Sequence, residues 1–152
     1  MTLLYLAGPP PFETGKYREL MHGRRVLVAF GEHRRRAFAD TDNFRGVVLD
    51  SGAWSAFQRG KPVDIDAYVR FCSEHGHRYD WYAAADVIGN PAAGMRNFER
   101  MLRAGLRPVP VFHGDDPWSL LGEFRTASSL VALGSSPGMA GEARAQIGRA
   151  HV

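Results

Sequence analysis

A short apolar run that ends in an acid, a hydroxyl and a glycine constrains the fold of this chain more than any other feature. Residues 47–49 are apolar, two of them β-branched, and they predict a buried strand. Asp50, Ser51 and Gly52 follow it directly, and a glycine there permits a tight turn or the close approach of a ligand. In α/β folds, ligands bind at this point, where a strand meets a loop.

Three later apolar runs end in the same way, in a polar or small residue. These runs are residues 83–85 before Asp86, residues 109–112 before His113, and residues 130–133 before Gly134. Such groups at successive strand ends are typical of a (β/α) barrel, whose active site lies at the carboxyl ends of its strands. We therefore expect Asp50, Asp86 and His113 to converge on one mouth.

Strand and helix patterns alternate along the chain, which predicts parallel strands joined by right-handed crossovers. A doubly wound sheet would alternate too, but it carries a glycine-rich phosphate loop after its first strand. The residues after the first predicted strand, Gly8-Pro9-Pro10-Pro11, do not match that motif. The predicted fold class is therefore α/β, an incomplete TIM (β/α) barrel of about six βα units.

Helix starts are marked by residues that cap a first turn. Asp64 precedes an amphipathic segment, and Asn90-Pro91 and Asp116-Pro117 place a proline after a capping side chain. Ser136-Pro137 repeats the pattern near the end of the chain. Residues 54–61 lack such a signal and predict a loop or a ragged helix.

The length of the chain conflicts with a complete barrel. The chain has 152 residues, whereas eight βα units need roughly 250. Residues 147–152 match one translated frame of a common sequencing adapter, and Gln146 fits the codon before it. We therefore expect residues 1–146 to be the N-terminal part of a single barrel domain, truncated at its C-terminus. Residues 147–152 are then a non-native, adapter-derived tail.

Composition narrows the class of protein. The formal net charge of +3 is compatible with a nucleic-acid partner, and Arg34-Arg35-Arg36 is either a solvated helix face or a phosphate contact. The single cysteine, Cys72, excludes an intrachain disulfide and a zinc site made only of cysteines in this chain. No signal-peptide pattern and no apolar run of about 20 residues is present, so we expect a cytoplasmic protein without a membrane span.

The polar strand-end residues each allow more than one role. Asp50 could be a nucleophile, a general acid or base, or a helix cap. Asp86 follows three alanines, whose small side chains leave room for a planar ligand or for a closely packed helix. His113 could be catalytic or a structural hydrogen-bonding group. Convergence of all three at one mouth favours a functional site.

Four motifs in this order resemble the tRNA-guanine transglycosylase superfamily. They are Leu-Asp-Ser-Gly-Ala at 49–53, Ala-Asp-Val-Ile-Gly-Asn-Pro at 85–91, Val-Pro-Val-Phe-His-Gly at 109–114, and Val-Ala-Leu-Gly at 131–134. The chain is most similar to the short relatives from phages and genomic islands, which insert 7-deazaguanine bases into DNA. The resemblance covers roughly residues 47–134.

The resemblance implies a role for each matched residue. Asp50 handles protons at the base, and Ser51 and Gly52 belong to the same base-binding motif. Asp86 recognises the guanine edge, because a carboxylate accepts hydrogen bonds from both N1–H and the exocyclic amine. His113 stands where the tRNA enzymes carry a glutamine near the base carbonyl. Gly134 matches the first glycine of a pair whose backbone approaches the base, and Ser135 replaces the second.

The implied reaction is base exchange in DNA or tRNA. An aspartate attacks C1′ of a flipped nucleotide, guanine leaves, and a 7-deazaguanine takes the freed position. In the family this nucleophile lies on a later strand, so we expect it beyond Gln146 and expect this chain alone to be inactive. No cofactor is expected in this chain, and a structural zinc would lie in the missing C-terminal part.

Two other functions fit the same residues. A metal-dependent barrel hydrolase would use Asp50, Asp86 and His113 as oxygen and nitrogen ligands. A nucleic-acid-binding module without catalysis would need only the basic charge and the aromatic residues.

Overall fold

The computed structural model describes residues 3–7, 19, 21–31 and 44–134. Its strands are β1 (Leu6–Ala7), β2 (Arg25–Ala29), β3 (Gly46–Asp50), β4 (Trp81–Tyr82), β5 (Val111–His113) and β6 (Ala132–Gly134). Its helices are α1 (Ala53–Gln58), α2 (Ile65–His75), α3 (Pro91–Arg103) and α4 (Trp118–Ala127), and a 3₁₀ turn at Gly76–Arg78 follows α2. Two helices, α1 and α2, separate β3 from β4, and one helix follows each of β4 and β5.

Every strand pairing in the described part of the chain is parallel and joins neighbours in chain order. One sheet has the order β1-β2-β3-β4, and β5 and β6 form a second sheet. A single parallel bridge between Ala83 and Val109 connects the end of β4 to the segment that enters β5. Within residues 3–7, 21–31 and 44–134 the strands form two small sheets and no closed barrel, so the (β/α) barrel stays a prediction.

The third strand is the most buried element of the sheet. Val47, Val48 and Leu49 on β3 are at most 2% exposed, as expected for a parallel strand that is covered on both faces. Its register places Val47 opposite Val26 and Leu49 opposite Tyr82. Asp50, the last residue of β3, therefore emerges from the centre of the described sheet.

β4 ends at Tyr82, before the apolar run at 83–85, because the backbone then turns away from the strand ladder. The Ala84 N–H donates to the Val109 carbonyl at 2.7 Å, but the Asp86 N–H donates back to the Ala84 carbonyl at 2.9 Å. That two-residue hydrogen bond closes a tight turn, which ends strand pairing. Asp86 consequently lies on a turn directly after the strand.

Helices pack against the sheet through one apolar face each. On α2, the Asp64 carboxylate caps the helix by accepting from the Ala67 N–H at 3.0 Å, and Tyr68 and Cys72 are buried. On α3, the Asn90 side chain accepts from the Ala93 N–H at 3.1 Å, as its Asn-Pro start predicts. Phe98 and Met101 on α3 and Leu120 and Phe124 on α4 complete this part of the core.

Two local predictions differ from the structure. Residues 53–58 form a regular helix, α1, whereas the sequence predicted a loop or a ragged helix. Asp116 does not cap α4: Pro117 occupies the N-cap position, and the Asp116 carboxylate instead accepts a hydrogen bond from the His113 backbone. Asp116 therefore stabilises the turn after β5 and not the first turn of α4.

Several predictions fall on residues outside the described ranges. They concern Gly8–Pro11, Arg34–Arg36, Ser135, the Ser136-Pro137 helix start and the tail at 147–152. In the described part of the chain, every helix is too short or too polar to span a membrane.

Candidate functional site

The centre of the site is the carboxylate of Asp86, which is held by side chains from two other strand ends. Ser51 Oγ donates to Asp86 Oδ1 at 2.8 Å, and His113 Nε2 lies 2.8 Å from Asp86 Oδ2. Because a carboxylate only accepts, the imidazole hydrogen is assigned to Nε2. The Asp86 side chain is 11% exposed, so the carboxylate is largely shielded from water.

A tight turn brings Ser51 to Asp86. Gly52 has left-handed backbone angles (φ 78°, ψ 15°), which a residue with a Cβ rarely adopts. The Gly52 N–H donates to Asp50 Oδ2 at 2.9 Å, and the Ala53 N–H donates to Ser51 Oγ at 3.2 Å. Ser51 therefore closes the turn at the start of α1 and presents its own hydrogen to Asp86.

Asp50 is close enough to Asp86 for the two charges to interact, and its own pKa is raised. Burial raises the pKa of Asp50 above 3.8, and the nearby charge of Asp86 raises it further. Hydrogen bonds from the backbone amides of Gly52 and Ser51 act in the opposite direction. A carboxyl group with a raised pKa next to a second carboxylate is suited to donate and accept protons during a reaction.

His113 is fixed at both its backbone and its ring. The His113 N–H donates to Asp116 Oδ2 at 2.8 Å, and the imidazole bonds to Asp86. Nδ1 is buried and has no hydrogen-bond partner among the described residues. The hydrogen bond to Asp86 raises the pKa of His113 above 6.5; burial opposes it, and the charges of Asp86, Asp116 and Asp115 support it.

Gly134 lies against the ring of His113. A Cβ built on Gly134 would stand 2.5 Å from Cε1 and 2.6 Å from Nδ1 of the imidazole, which is closer than side-chain carbons approach. The absence of a side chain at this position therefore makes room for the histidine on the neighbouring strand. The resemblance assigned Gly134 a backbone contact with a base; the contact that the structure gives it is with His113.

The structure thus brings together residues from all four predicted motifs. Ser51, Asp86, His113 and Gly134 form one continuous set of contacts, and Asp50 and Gly52 join it through the turn. Ser135 lies outside the described residues. In the part of the chain described here, no three His, Cys, Asp or Glu side chains are grouped so that they could hold a metal ion.

Three further residues support the site and were not assigned to it from the sequence. Tyr68 Oη donates to the Ala83 carbonyl at 2.8 Å, and Asn97 Nδ2 donates to the Ala85 carbonyl at 2.8 Å. These bonds hold the backbone just before Asp86. Asp116, interpreted as a helix cap, holds the backbone of His113 instead. The bonds of Tyr68 and Asn97 join elements that are distant in sequence, so no local spacing rule predicts them. The bond of Asp116 is local, but the Asp-Pro pattern of a helix start indicated a different role for this residue.

The aromatic surface next to the turn belongs to the same region. Trp54 and Phe57 on α1 stack with ring centroids 5.8 Å apart, and they are 43% and 49% exposed.

Cys72, in contrast, is buried in the core, and burial raises its pKa to about 12, which keeps the thiol protonated.

Comparison of the chain with family models, with curated proteins and with solved structures found no match.

Proposed function

We propose that this chain carries the base-recognition half of a base-exchange transglycosylase, which replaces guanine by a 7-deazaguanine in DNA or tRNA. The observation that carries the proposal is the carboxylate of Asp86, which Ser51 and His113 hold from two different strand ends. A buried carboxylate fixed in this way is suited to recognise a ligand edge with two adjacent hydrogen-bond donors. Guanine and 7-deazaguanines present such an edge in N1–H and the exocyclic amine.

The hydrogen-bond count at Asp86 supports this match. Each carboxylate oxygen can accept about two hydrogen bonds, and each has accepted one within the protein. One acceptor position per oxygen remains, and two parallel N–H groups pair with it in a bidentate, charge-assisted geometry. A base without the exocyclic amine would leave one of these positions unfilled.

Asp50 is the proposed proton-handling group. Its raised pKa suits a carboxyl that gives a proton to the leaving base and takes one from the incoming base. The resemblance places the nucleophilic aspartate beyond Gln146, so the proposal assigns no nucleophile in this chain. In the complete reaction, the bond from C1′ to N9 of guanine breaks as the nucleophile binds C1′. N9 of the incoming 7-deazaguanine then binds C1′, and the bond between C1′ and the nucleophile breaks.

The proposed barrel gives these groups a common position. Parallel pairing in chain order from β1 to β4 and from β5 to β6, with a bridge between the two sheets, supports an incomplete barrel of about six βα units. In a doubly wound sheet the order of the strands would reverse.

A nucleic-acid partner is supported by the net charge of +3 and by the exposed Trp54–Phe57 pair beside the turn. The cytoplasmic setting expected from the sequence is part of this proposal.

The test is the binding of 7-deazaguanine to this chain by calorimetry, with Asp86→Asn as the variant and Glu123→Gln as its matched control. Asparagine at 86 would turn an NH₂ towards the donors of the base, at a cost on the order of 2–4 kcal/mol in base recognition. Glu123→Gln removes an exposed carboxylate on α4 and should bind as the wild type does. Affinity for DNA or tRNA at fixed salt should barely change in either variant, because phosphate contacts dominate it.

Other outcomes would select the alternatives. Equal binding of 7-deazaguanine by Asp86→Asn and the wild type would remove the base-recognition role of Asp86. Stoichiometric metal bound through Asp50, Asp86 and His113 would favour the hydrolase. Binding of nucleic acid without binding of any base would favour the non-catalytic module. Exchange of labelled guanine, assayed in a protein extended by the downstream reading frame, then tests the reaction itself.

A further inference from the structure

We propose that His113 is a positioning residue for base recognition and not a contact of the base. It fixes the Asp86 carboxylate so that one acceptor position on each oxygen is left for the base. This inference rests on the proposed function, and it assigns His113 a different task from that of the glutamine at the matching position in the family that the motifs resemble.

Neither nitrogen of the imidazole is available to a ligand. Nε2 bonds to Asp86 Oδ2 at 2.8 Å, and Nδ1 is buried. The side chain of His113 is only 8% exposed. The hydrogen-bonding groups of His113 are thus used or enclosed within the protein, whereas each oxygen of Asp86 keeps one acceptor position for a base.

Two anchors restrict the carboxylate more than one would. A carboxyl group turns readily about its last side-chain torsion, which has broad minima. With Ser51 on Oδ1 and His113 on Oδ2, rotation in either direction breaks a hydrogen bond. The plane of the carboxylate is thus set before a ligand arrives, and such preorganisation lowers the entropy lost on binding.

The surroundings of His113 are built to keep it in this position. Asp116 accepts from the His113 N–H at 2.8 Å, and Gly134 leaves space for the ring. The charged groups that act on the imidazole are Asp86, at the end of the fourth strand segment, and Asp115 and Asp116, in the loop after β5. All three are acidic, so they favour an imidazole that donates to Asp86.

The experiment compares two probes, 7-deazaguanine and 7-deazahypoxanthine, which lacks the exocyclic amine. The wild type, His113→Gln, His113→Phe and the exposed-site control His77→Phe are measured by calorimetry. We expect His113→Phe to weaken 7-deazaguanine binding about tenfold or more, and 7-deazahypoxanthine binding less, so that discrimination between the probes falls. Gln at 113 retains a donor for Asp86 and should restore most of the affinity and the discrimination. His77→Phe should match the wild type.

A second measurement covers the case in which His113→Phe does not fold. The pKa of His113 is measured by NMR in the wild type and in Asp86→Asn, where we expect it to fall. Ser51→Ala removes the other anchor and should also reduce discrimination between the two probes.

The outcomes separate the two proposals. Wild-type affinity and discrimination in His113→Phe, or an unchanged pKa of His113 in Asp86→Asn, would overturn the positioning role while base recognition stands. If the wild type binds neither probe, the proposed base recognition fails, and the positioning role fails with it.

Discussion

Gly134 and His113 are in such close contact that only a glycine fits on β6 at this point. A Cβ at position 134 would stand 2.5 Å from Cε1 of the imidazole and 3.0 Å from Cγ1 of Val111. The ring cannot simply swing away, because its other side is bonded to Asp86 and its backbone to Asp116. The glycine of one strand thereby determines where the histidine of the next strand lies.

Gly134→Ala should therefore damage the site through His113. The added methyl group forces the imidazole away from Asp86, at a cost of about 1–3 kcal/mol in the free energy of unfolding, as for other overpacked sites. The pKa of His113 should fall as its hydrogen bond to Asp86 lengthens. Urea denaturation and an NMR titration of the histidine measure the two effects.

The matched control for that variant is Gly122→Ala. Gly122 lies on α4, and a Cβ there meets nothing within 4 Å. Alanine should stabilise the helix by up to about 1 kcal/mol, because glycine is the poorer helix former. Equal stability of Gly134→Ala and the wild type would show that the ring of His113 is not confined by β6.

The placement of the site illustrates what the sequence can predict. Asp50, Asp86 and His113, at the ends of three strands, were expected at one mouth. In the structure Ser51, next to Asp50, and His113 both bond to Asp86, and Gly134 lies against the imidazole. This works because parallel strands in sequential order bring their carboxyl ends to the same edge. The closed barrel, the reaction and the nucleic-acid partner are not tested by these contacts and stay proposals.

The hydrogen bonds behind the site could not be predicted. Asp116-Pro117 has the pattern of a helix start, yet the carboxylate bonds to the His113 backbone. Tyr68 fits the apolar stripe of α2, and nothing in that stripe indicates that its hydroxyl donates to the Ala83 carbonyl. The bond of Tyr68 depends on the distance between two elements after packing, and the bond of Asp116 depends on how the turn after β5 closes. Residue spacing along a helix contains neither.

Asp50→Asn should separate stability from catalysis. Because burial raises the pKa of Asp50, the folded state loses stability as pH rises from about 3.8 through the pKa in the fold. Asparagine removes the buried charge and can still accept from the Gly52 N–H, so the variant should be up to about 1 kcal/mol more stable at pH 7. The gain should vanish near pH 3.5, as urea denaturation at the two pH values would show.

The same variant should retain base binding but lose proton transfer. Its affinity for 7-deazaguanine should stay within a few-fold of the wild type, while exchange in the extended protein should fall by about 10²–10⁴. An Asp50→Asn protein that exchanges guanine at the wild-type rate would contradict the proton-handling role.

The pair of His113 and Asp86 should give the fold a second pH dependence at higher pH. The pKa of His113 is raised, mainly by its hydrogen bond to Asp86. The stabilisation is therefore complete below about 6.5, the ordinary value, and is lost as pH rises through the pKa in the fold. Urea midpoints between pH 5.5 and 8.5 should fall in the wild type and stay flatter in His113→Gln. Parallel pH profiles for the two proteins would show that the histidine does not gain a proton on folding.

Tyr68→Phe tests whether the backbone before Asp86 is held from the core. Tyr68 is fully buried, and its hydroxyl donates to the Ala83 carbonyl at 2.8 Å. Removing the hydroxyl leaves a buried carbonyl without this donor, which should lower the free energy of unfolding by about 1–2 kcal/mol. Because Ala83 lies three residues before Asp86, affinity for 7-deazaguanine should fall as well.

The control is Tyr82→Phe, which removes a hydroxyl that accepts from the exposed Arg107 backbone. This variant should leave base affinity unchanged. If both variants bind 7-deazaguanine as the wild type does, the core hydroxyl serves stability alone, and Asp86 is positioned entirely by Ser51 and His113.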